Sequence, residues 1–391
     1  MKSVRDFDLY GKKVLVRVDY NIPMDENQNI IDDNRIVSSL PLIEYLIEQG
    51  AKIILISHMG RPDGKKEPEL SLAPAATRLS MLLSRNVAFV DACMGREVKN
   101  KVDALQNGEI LLLENLRFHK EEKANDPAFS KELALLCDVY VNDAFSVSHR
   151  CHASIVGIPR VAAESGAGFL LEKEIESYHA AIDTPVRPLV AIVGGVKVSS
   201  KLGALKNMLK YVDKLIIGGA MANTFLKSSG IDTGASRIEE ALVETASSII
   251  KEAEQKGIEL YLPVDLVVAE RFDKDALKKD VSVHDIPATW MGLDIGPETG
   301  AIFAGAVKGA GTIVWNGPMG VFEMERFRSG TQAVANAVAE SEGFSVIGGG
   351  DTDLAVKLCN VADRMDYIST GGGAFLCLME GKQLPGVVAL A

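Results

Sequence analysis

The chain carries little that would mark it for nucleic acid, a membrane or export. Acidic residues outnumber basic ones, 53 Asp and Glu against 42 Lys and Arg, for a net charge of −11. A nucleic-acid binder needs a basic face to neutralise phosphates, so nucleic acid is excluded as a main partner. A local basic pocket for a small anion is not excluded. No stretch approaches the ~18 uninterrupted apolar residues of a membrane span, so no membrane partner is expected. The start, MKSVRDFDLY, has no apolar run of leader length. Cysteine is sparse: Cys93, Cys137, Cys151, Cys359 and Cys377 are odd in number, scattered and without paired metal spacing. Reduced thiols in a cytoplasmic protein are expected. Two nucleotide signatures are also missing. No GxGxxG follows an expected strand, and no GxxxxGK is followed by Ser or Thr.

What is present is an ordinary globular composition, 47% hydrophobic and 24% charged over 391 residues, a length that favours two domains. Short β-rich runs alternate with helical periodicity. Strands are expected at 13–19, 52–58, 109–114, 138–143, 189–194, 214–219, 259–265, 311–316 and 344–349. Between the first two, Ile36, Leu40, Ile43 and Ile47 share one helical stripe, and Gly50 supplies its stop. Strands apolar on both faces and separated by helices imply parallel sheets of an α/β protein. Gly157, Pro159, Gly166 and Gly168 precede a charged helical run from Leu170 to Ile182, followed by Pro185 and Pro188. That layout implies two doubly wound lobes, 1–168 and 188–379, joined by a helical hinge at 169–187, with a ligand held in the cleft between them.

The polar residues gather where strands end. Lys13 to Pro23 reads as a buried strand that finishes in Arg17, Asp19 and Asn21. In open α/β sheets ligands collect at the carboxyl ends of strands, although Asp and Asn before a proline also cap ordinary turns. Arg35, Ser57-His58-Met59-Gly60-Arg61, Glu114-Asn115-Leu116-Arg117 and His149-Arg150-Cys151-His152 recur where successive βα units turn over. Arginine grips phosphate and carboxylate with a rigid fork of donors, so Arg35, Arg61, Arg117 and Arg150 together point to an anion with more than one charged group. His119 and His152 read as solvated or structural.

The second half is rich in glycine turns. Gly194 to Lys201 follows a strand and opens a helix, where amides and two lysines suit phosphate. Gly218-Gly219, Gly348-Gly349-Gly350-Asp351-Thr352 and Thr370-Gly371-Gly372-Gly373 are further turns of this kind. Asp351 offers the carboxylate oxygen that a hard cation such as Mg²⁺ prefers, and the glycines of 371–373 offer bare amides at a helix start. The loop from Trp315 to Glu323 packs Trp, Pro, Phe and two glycines into a tight turn. Four glycine turns on one sheet edge indicate a nucleotide.

Taken together, RVDYNIP, SHMGRP, LLENLRF, GGVKVSSK, WNGPMGVFE, GGGDT, STGGGA and the terminal LPGVVAL resemble the phosphoglycerate kinase family, in the family's order and over nearly the whole chain. The resemblance implies two Rossmann-like lobes, 3-phosphoglycerate on the first and Mg-nucleotide on the second, with the tail 380–391 packing back on the first lobe. It implies reversible phosphoryl transfer between ATP and the carboxylate of 3-phosphoglycerate, giving ADP and 1,3-bisphosphoglycerate, in a monomer. Carried over, Asp19 and Asn21 would hold the hydroxyl and carboxylate end of the acid. His58, Arg61, Arg117 and Arg150 would clamp its phosphate, and Arg35 would sit at the transfer site. Lys201 would bind nucleotide phosphates while Lys197 follows the moving group. Gly219, Gly292, Asn316, Pro318 and Glu323 would line the adenosine site. Gly349, Gly350, Asp351 and Thr352 would hold phosphates and Mg²⁺, and Gly371 to Gly373 would offer amides to the transferred group.

One segment departs from the pattern. After Asn142-Asp143-Ala144-Phe145 the family usually has Gly-Thr-Ala, where this chain has Ser146-Val147-Ser148, and Cys151 replaces a common alanine. If that glycine is left-handed, Ser146 is expected to carry strain of roughly 1 kcal/mol or more. Two other readings fit part of the chain: a different carboxylate kinase, and a two-lobed binding protein without catalysis.

Overall fold

The apolar runs form the centres of two parallel sheets. The computed structural model describes all 391 residues, and they divide into two units: Met1–Ile175 with Gln383–Ala391, and Glu176–Lys382. In the first unit β1 (Lys13–Arg17), β2 (Lys52–Ile56), β3 (Val87–Val90), β4 (Ile110–Leu113), β5 (Val139–Asn142) and β6 (Glu164–Ala167) line up as β3-β4-β2-β1-β5-β6. Helices cover both faces, so Val14, Leu15 and Val16 are all fully buried despite pointing in alternate directions. The winding direction reverses between β1 and β5, where a parallel sheet opens a crevice. Register places Arg17 level with Ile56 on β2 and Asn142 on β5. The residues that follow these three strands therefore emerge at one edge.

The second unit repeats the plan. It contains β7 (Leu189–Val193), β8 (Lys214–Ile217), β9 (Glu259–Tyr261), β10 (Asp265–Ala269), β11 (Lys278–Ser282), β12 (Met291–Ile295), β13 (Thr312–Asn316), β14 (Phe344–Gly348) and β15 (Tyr367–Ile368). Its six-stranded parallel sheet runs β15-β14-β13-β7-β8-β9, and β11-β10-β12 form a separate antiparallel sheet. Asn316 is level with Val193 and Gly348, so the glycine turns after β7, β13 and β14 share an edge at the reversal point. No helix is long and apolar enough to cross a membrane, and all five cysteines are free.

Several elements differ from the sequence expectation. The segment 259–265 is two strands in two sheets, parted around Pro263. The antiparallel sheet was not foreseen because β11, Lys-Lys-Asp-Val-Ser, is mostly exposed and lacks apolar alternation. Gly166, expected in a linker, lies inside edge strand β6. The helix after β1 is two helices, Asn34–Val37 and Leu40–Glu48. Pro41 opens the second and shifts its buried face to Leu42, Ile43 and Leu46, leaving Leu40 and Ile47 half-buried. Gly50, at φ +68°, does end that segment.

A 14-residue helix, Phe169–Ile182, spans the division between the units. Asp143 meets its start, accepting from the Leu170 and Leu171 N–H groups at 2.7 and 3.3 Å. Gly168 makes this approach possible, since a Cβ there would lie 2.4 Å from Asp143 Oδ1. The segment Gln383–Ala391 docks in the first unit, where the Gly386 N–H donates to the Ser148 carbonyl at 2.9 Å and Leu384 and Leu390 are buried.

Candidate active site

At the carboxyl edge of the first sheet, a chain of hydrogen bonds ties the loops after β1, β2 and β4. The Asn21 side-chain oxygen accepts from the Gly60 N–H at 2.8 Å, and Arg117 Nη1 donates to the Gly60 carbonyl at 2.7 Å. Asn115 braces the same corner, accepting from the Met59 and Arg117 amides and donating to the Met59 carbonyl. Asp19 Oδ1 accepts from the Asn21 N–H at 3.1 Å, while Oδ2 accepts from Arg35 Nη1 and from the Ser146 hydroxyl. Burial would raise the Asp19 carboxyl, but the Arg35 and Arg17 charges and the Ser146 hydrogen bond outweigh it and hold the group below the usual carboxylate range.

Arg17, 1% exposed, stands behind this carboxylate. It donates through Nε to Ser154 Oγ at 2.9 Å, through Nη2 to His58 Nδ1 at 3.0 Å, and through Nη1 to the Val18 carbonyl. Accepting at Nδ1 leaves His58 neutral with its proton on Nε2. Burial, and then Arg17, Arg117 and Arg35, hold it well below its usual range against the pull of Asp19. Arg35 and Arg17 are therefore the cations that keep Asp19 ionised at neutral pH. Burial, then Arg17 and Arg150, push Arg117 down to about 10. His152 falls to about 4 through burial, then Arg117, Arg17 and Arg150, and His149 is lowered by burial and Arg150. The arginines thus act on the histidines and on Arg117 at close range, and an anion placed among these like charges is stabilised. Arg61 and Arg150 are exposed on the same set of loops.

In the second unit a cavity of about 570 Å³ lies against the carboxyl edge. Its lining includes Gly219, Gly292, Pro318, Glu323 and Asp351, with apolar walls from Leu266, Phe272, Met291 and Leu293. Apolar walls with a few polar groups suit a flat base joined to a sugar. Gly219, at φ +66°, allows the turns to converge: a Cβ there would sit 2.5 Å from the Gly195 nitrogen and 2.9 Å from the Pro318 oxygen. Lys201 Nζ donates to the Asn316 carbonyl at 2.8 Å; burial lowers the ammonium to about 8, with Asp351 pulling the other way. Asp351 is exposed in the first turn of the helix Gly350–Leu358. Magnesium takes one or two carboxylates and completes its octahedron with phosphates and water, and this accessible carboxylate near a lysine fits that demand. Another depression, of about 550 Å³, is lined by Arg85, Lys101 and Glu109. It lies by the starts of β3 and β4, away from the carboxyl edge where parallel sheets bind ligands.

The family model described as phosphoglycerate kinase matches residues 4–382. A phosphoglycerate kinase from Desulforapulum autotrophicum is 66% identical over 390 residues, covering the whole of both chains. The chain belongs to the phosphoglycerate kinase family. The solved structure of phosphoglycerate kinase from Coxiella burnetii superposes with a TM-score of 0.92 at 43% identity, covering 100% of this chain and 98% of that one. That of Pyrococcus horikoshii gives 0.86 at 33% identity, with 100% and 98% covered. The chain is thus an α/β phosphotransferase with the family's activity, the glycolytic reaction between ATP and 3-phosphoglycerate. The alternatives of another carboxylate kinase and a non-catalytic binding protein fall away.

Against this family background, the structure gathers Asp19, Asn21, Arg35, His58 and Arg117 through direct contacts, with Arg150 acting on Arg117 and the histidines. Gly219, Gly292, Pro318, Glu323 and Asp351 line the cavity. Asn316 is buried beside it and engages Lys201 through its backbone, while Lys197 is exposed. Thr352 is buried, its hydroxyl accepting from the Gly317 N–H at 2.7 Å and donating to the Gly348 carbonyl at 2.8 Å. Gly371 precedes the helix Gly372–Met379, and a Cβ on Gly372 would be 3.1 Å from the Gly349 Cα, so the turns after β14 and β15 abut. His119 packs its ring 5.4 Å from Phe129. Sequence reasoning placed Arg17 in the polar cluster that ends β1 but gave it no role, and its contacts to Ser154 and His58 come from the fold. Sequence reasoning missed Asn223, Arg237 and Phe272 on the cavity wall, which no local motif marks. The strain expected at Ser146 is absent: it sits in a 3₁₀ turn, Phe145–Val147, and is not among the left-handed residues.

Proposed function

We propose that the first unit holds 3-phosphoglycerate, the second holds Mg-ATP, and named residues of each carry the transfer. The observation behind this reading is the gathering of basic side chains at one sheet edge, where Arg117 donates to the Gly60 carbonyl at 2.7 Å, Arg17 to His58 Nδ1 at 3.0 Å and Arg35 to Asp19. Arg61, Arg117, Arg150 and His58 take the 3-phosphate; Asp19 accepts from the acid's hydroxyl, and Asn21 helps align it. Gly219, Gly292, Asn316, Pro318 and Glu323 take the adenosine. Gly349, Gly350, Thr352 and Lys201 take its phosphates, beside the metal held by Asp351. Magnesium supplies positive charge to the phosphate oxygens.

The attacking carboxylate is already ionised at neutral pH, its ordinary pKa being near ~3.5. No general base is needed, and His58, buried and neutral, is suited to donating from Nε2. Catalysis is electrostatic: Arg35, Lys197 and the amides at Gly371 and Gly372 stabilise charge spreading over the moving phosphoryl group. In-line transfer also requires the acid and nucleotide to meet, and hinge bending in 169–187 is the motion we assign to that step. Free cysteines throughout support a reducing, cytoplasmic setting, and the family resemblance supports a monomer.

The test is a coupled assay with 3-phosphoglycerate, ATP and Mg²⁺, following NADH oxidation by added dehydrogenase. Arg35→Ala is expected to lower kcat far more than it raises KM for the acid. A normal kcat with raised KM would remove Arg35 from the transfer step. Folded, nucleotide-binding protein without turnover would sink the reaction itself.

A further inference from the structure

We propose that Ser146 is a positioning residue that holds Asp19 in place when Arg35 leaves it for the substrate. Asp19 Oδ2 is shared by two donors, the Arg35 guanidinium and the Ser146 hydroxyl, and Oδ1 accepts from the Asn21 amide. A carboxylate has about four acceptor positions, so roughly one remains for a substrate hydroxyl. The Arg35 fork carries five donors, and turning all of it onto a transferring phosphoryl group takes Nη1 off Asp19. Once it turns away, Asp19 would lose its closest cation and one of the two donors on Oδ2. Ser146 stays, and a hydrogen bond to an ionised acceptor is stronger than a neutral one.

The rigidity of the turn makes this hydroxyl a fixed donor. Ala144, Phe145, Val147 and Ser148 are buried, and Ser146 alone of this stretch is partly open. Ser148 Oγ donates to the Ala144 carbonyl at 3.0 Å and accepts from Asn142 Nδ2 at 3.2 Å, tying the turn to the end of β5. The Ser148 carbonyl receives the Gly386 N–H, so the docked C-terminal segment braces the turn from behind. Both β1 and β5 flank the point where the sheet reverses, which is why a residue after β5 reaches one after β1. The hydroxyl is one of three donors to Asp19, so its effect is modest.

The inference rests on Asp19 and Arg35 having the roles proposed above, and steady-state kinetics of the full chain separates the two ideas. The variants are Ser146→Ala, Ser146→Thr, Asp19→Asn and Ser146→Ala/Asp19→Asn. Ser146→Ala is expected to lower kcat/KM for 3-phosphoglycerate roughly two- to tenfold, with KM for ATP unchanged. Ser146→Thr, which keeps the hydroxyl, recovers most of that loss. The double variant is no worse than Asp19→Asn. An unchanged Ser146→Ala beside an impaired Asp19→Asn overturns the role of Ser146 and leaves that of Asp19 standing. An Asp19→Asn variant with normal kcat/KM overturns the reading of Asp19 and this inference with it. Equal losses in Ser146→Thr and Ser146→Ala, or additive losses in the double variant, mark a packing effect and also refute it.

Discussion

Asp143 should make the first unit less stable as pH rises, and its asparagine variant should remove that dependence. The carboxyl group is 2% exposed; burial pushes it up to about 7, with the Leu170 and Leu171 amides opposing. The ordinary value is 3.8. A raised folded-state pKa means that the folded protein holds the proton where the unfolded chain has lost it. The associated stability is complete below about pH 4, declines from there and is gone once pH passes about 7. The full shift corresponds to roughly 4 kcal/mol, of which about 2 kcal/mol falls between pH 5.5 and 8.5. Asp143→Asn suits the test because Oδ1, which takes both amides, can remain an oxygen, while Oδ2 has no partner to lose. Hydrogen exchange of β1 and β5 amides, compared between the two proteins at each pH, cancels the intrinsic pH effect. The variant should gain protection over the natural chain by about thirtyfold across that range, the equivalent of 2 kcal/mol. Both tryptophans, Trp290 and Trp315, lie in the second unit, so their fluorescence should report no change there. A difference that stays constant with pH would refute the reasoning, because Asp143 would then titrate alike in folded and unfolded protein.

Three further outcomes follow from the second unit. Asp351→Ala should raise KM for Mg-ATP by roughly tenfold or more and abolish its normal Mg²⁺ dependence, with 3-phosphoglycerate binding, read by equilibrium titration, nearly intact. Raising pH through about 8 should weaken ATP binding in the natural chain, because Lys201 loses its proton near there and binding must then restore it. Calorimetry in buffers of different ionisation enthalpy should detect this proton uptake above pH 8, and Lys201→Arg should show none. Gly219→Ala should destabilise the second unit by about 2 kcal/mol or more, since left-handed backbone and a blocked approach combine; tryptophan fluorescence in urea would measure it.

Much of this protein was legible from local sequence. Apolar runs marked the central strands, because strands buried on both faces need few polar residues. The motif residues Asp19, Asn21, Arg117, Gly219 and Asp351 stood at strand ends, where chain direction alone puts them on the ligand-binding edge. Short exposed strands were not legible, since β11 and β15 bury little and leave no pattern. The break at Ser38-Ser39 was misread because one apolar stripe fits one long helix as well as two short ones.

What only the tertiary structure decided is which distant residues meet. Arg17 belongs to the site because register sets β1 beside β2 and brings His58 within 3.0 Å of its guanidinium. Ser146 reaches Asp19, 127 positions away, because β5 lies beside β1 where the sheet reverses. The lowering of Arg117, His149 and His152, by burial first and by neighbouring arginines second, likewise comes from the folded surroundings. Sequence by itself determined the central strands and the chemistry each loop carries. Strand order decided which loops share an edge, and with it which charged groups meet there.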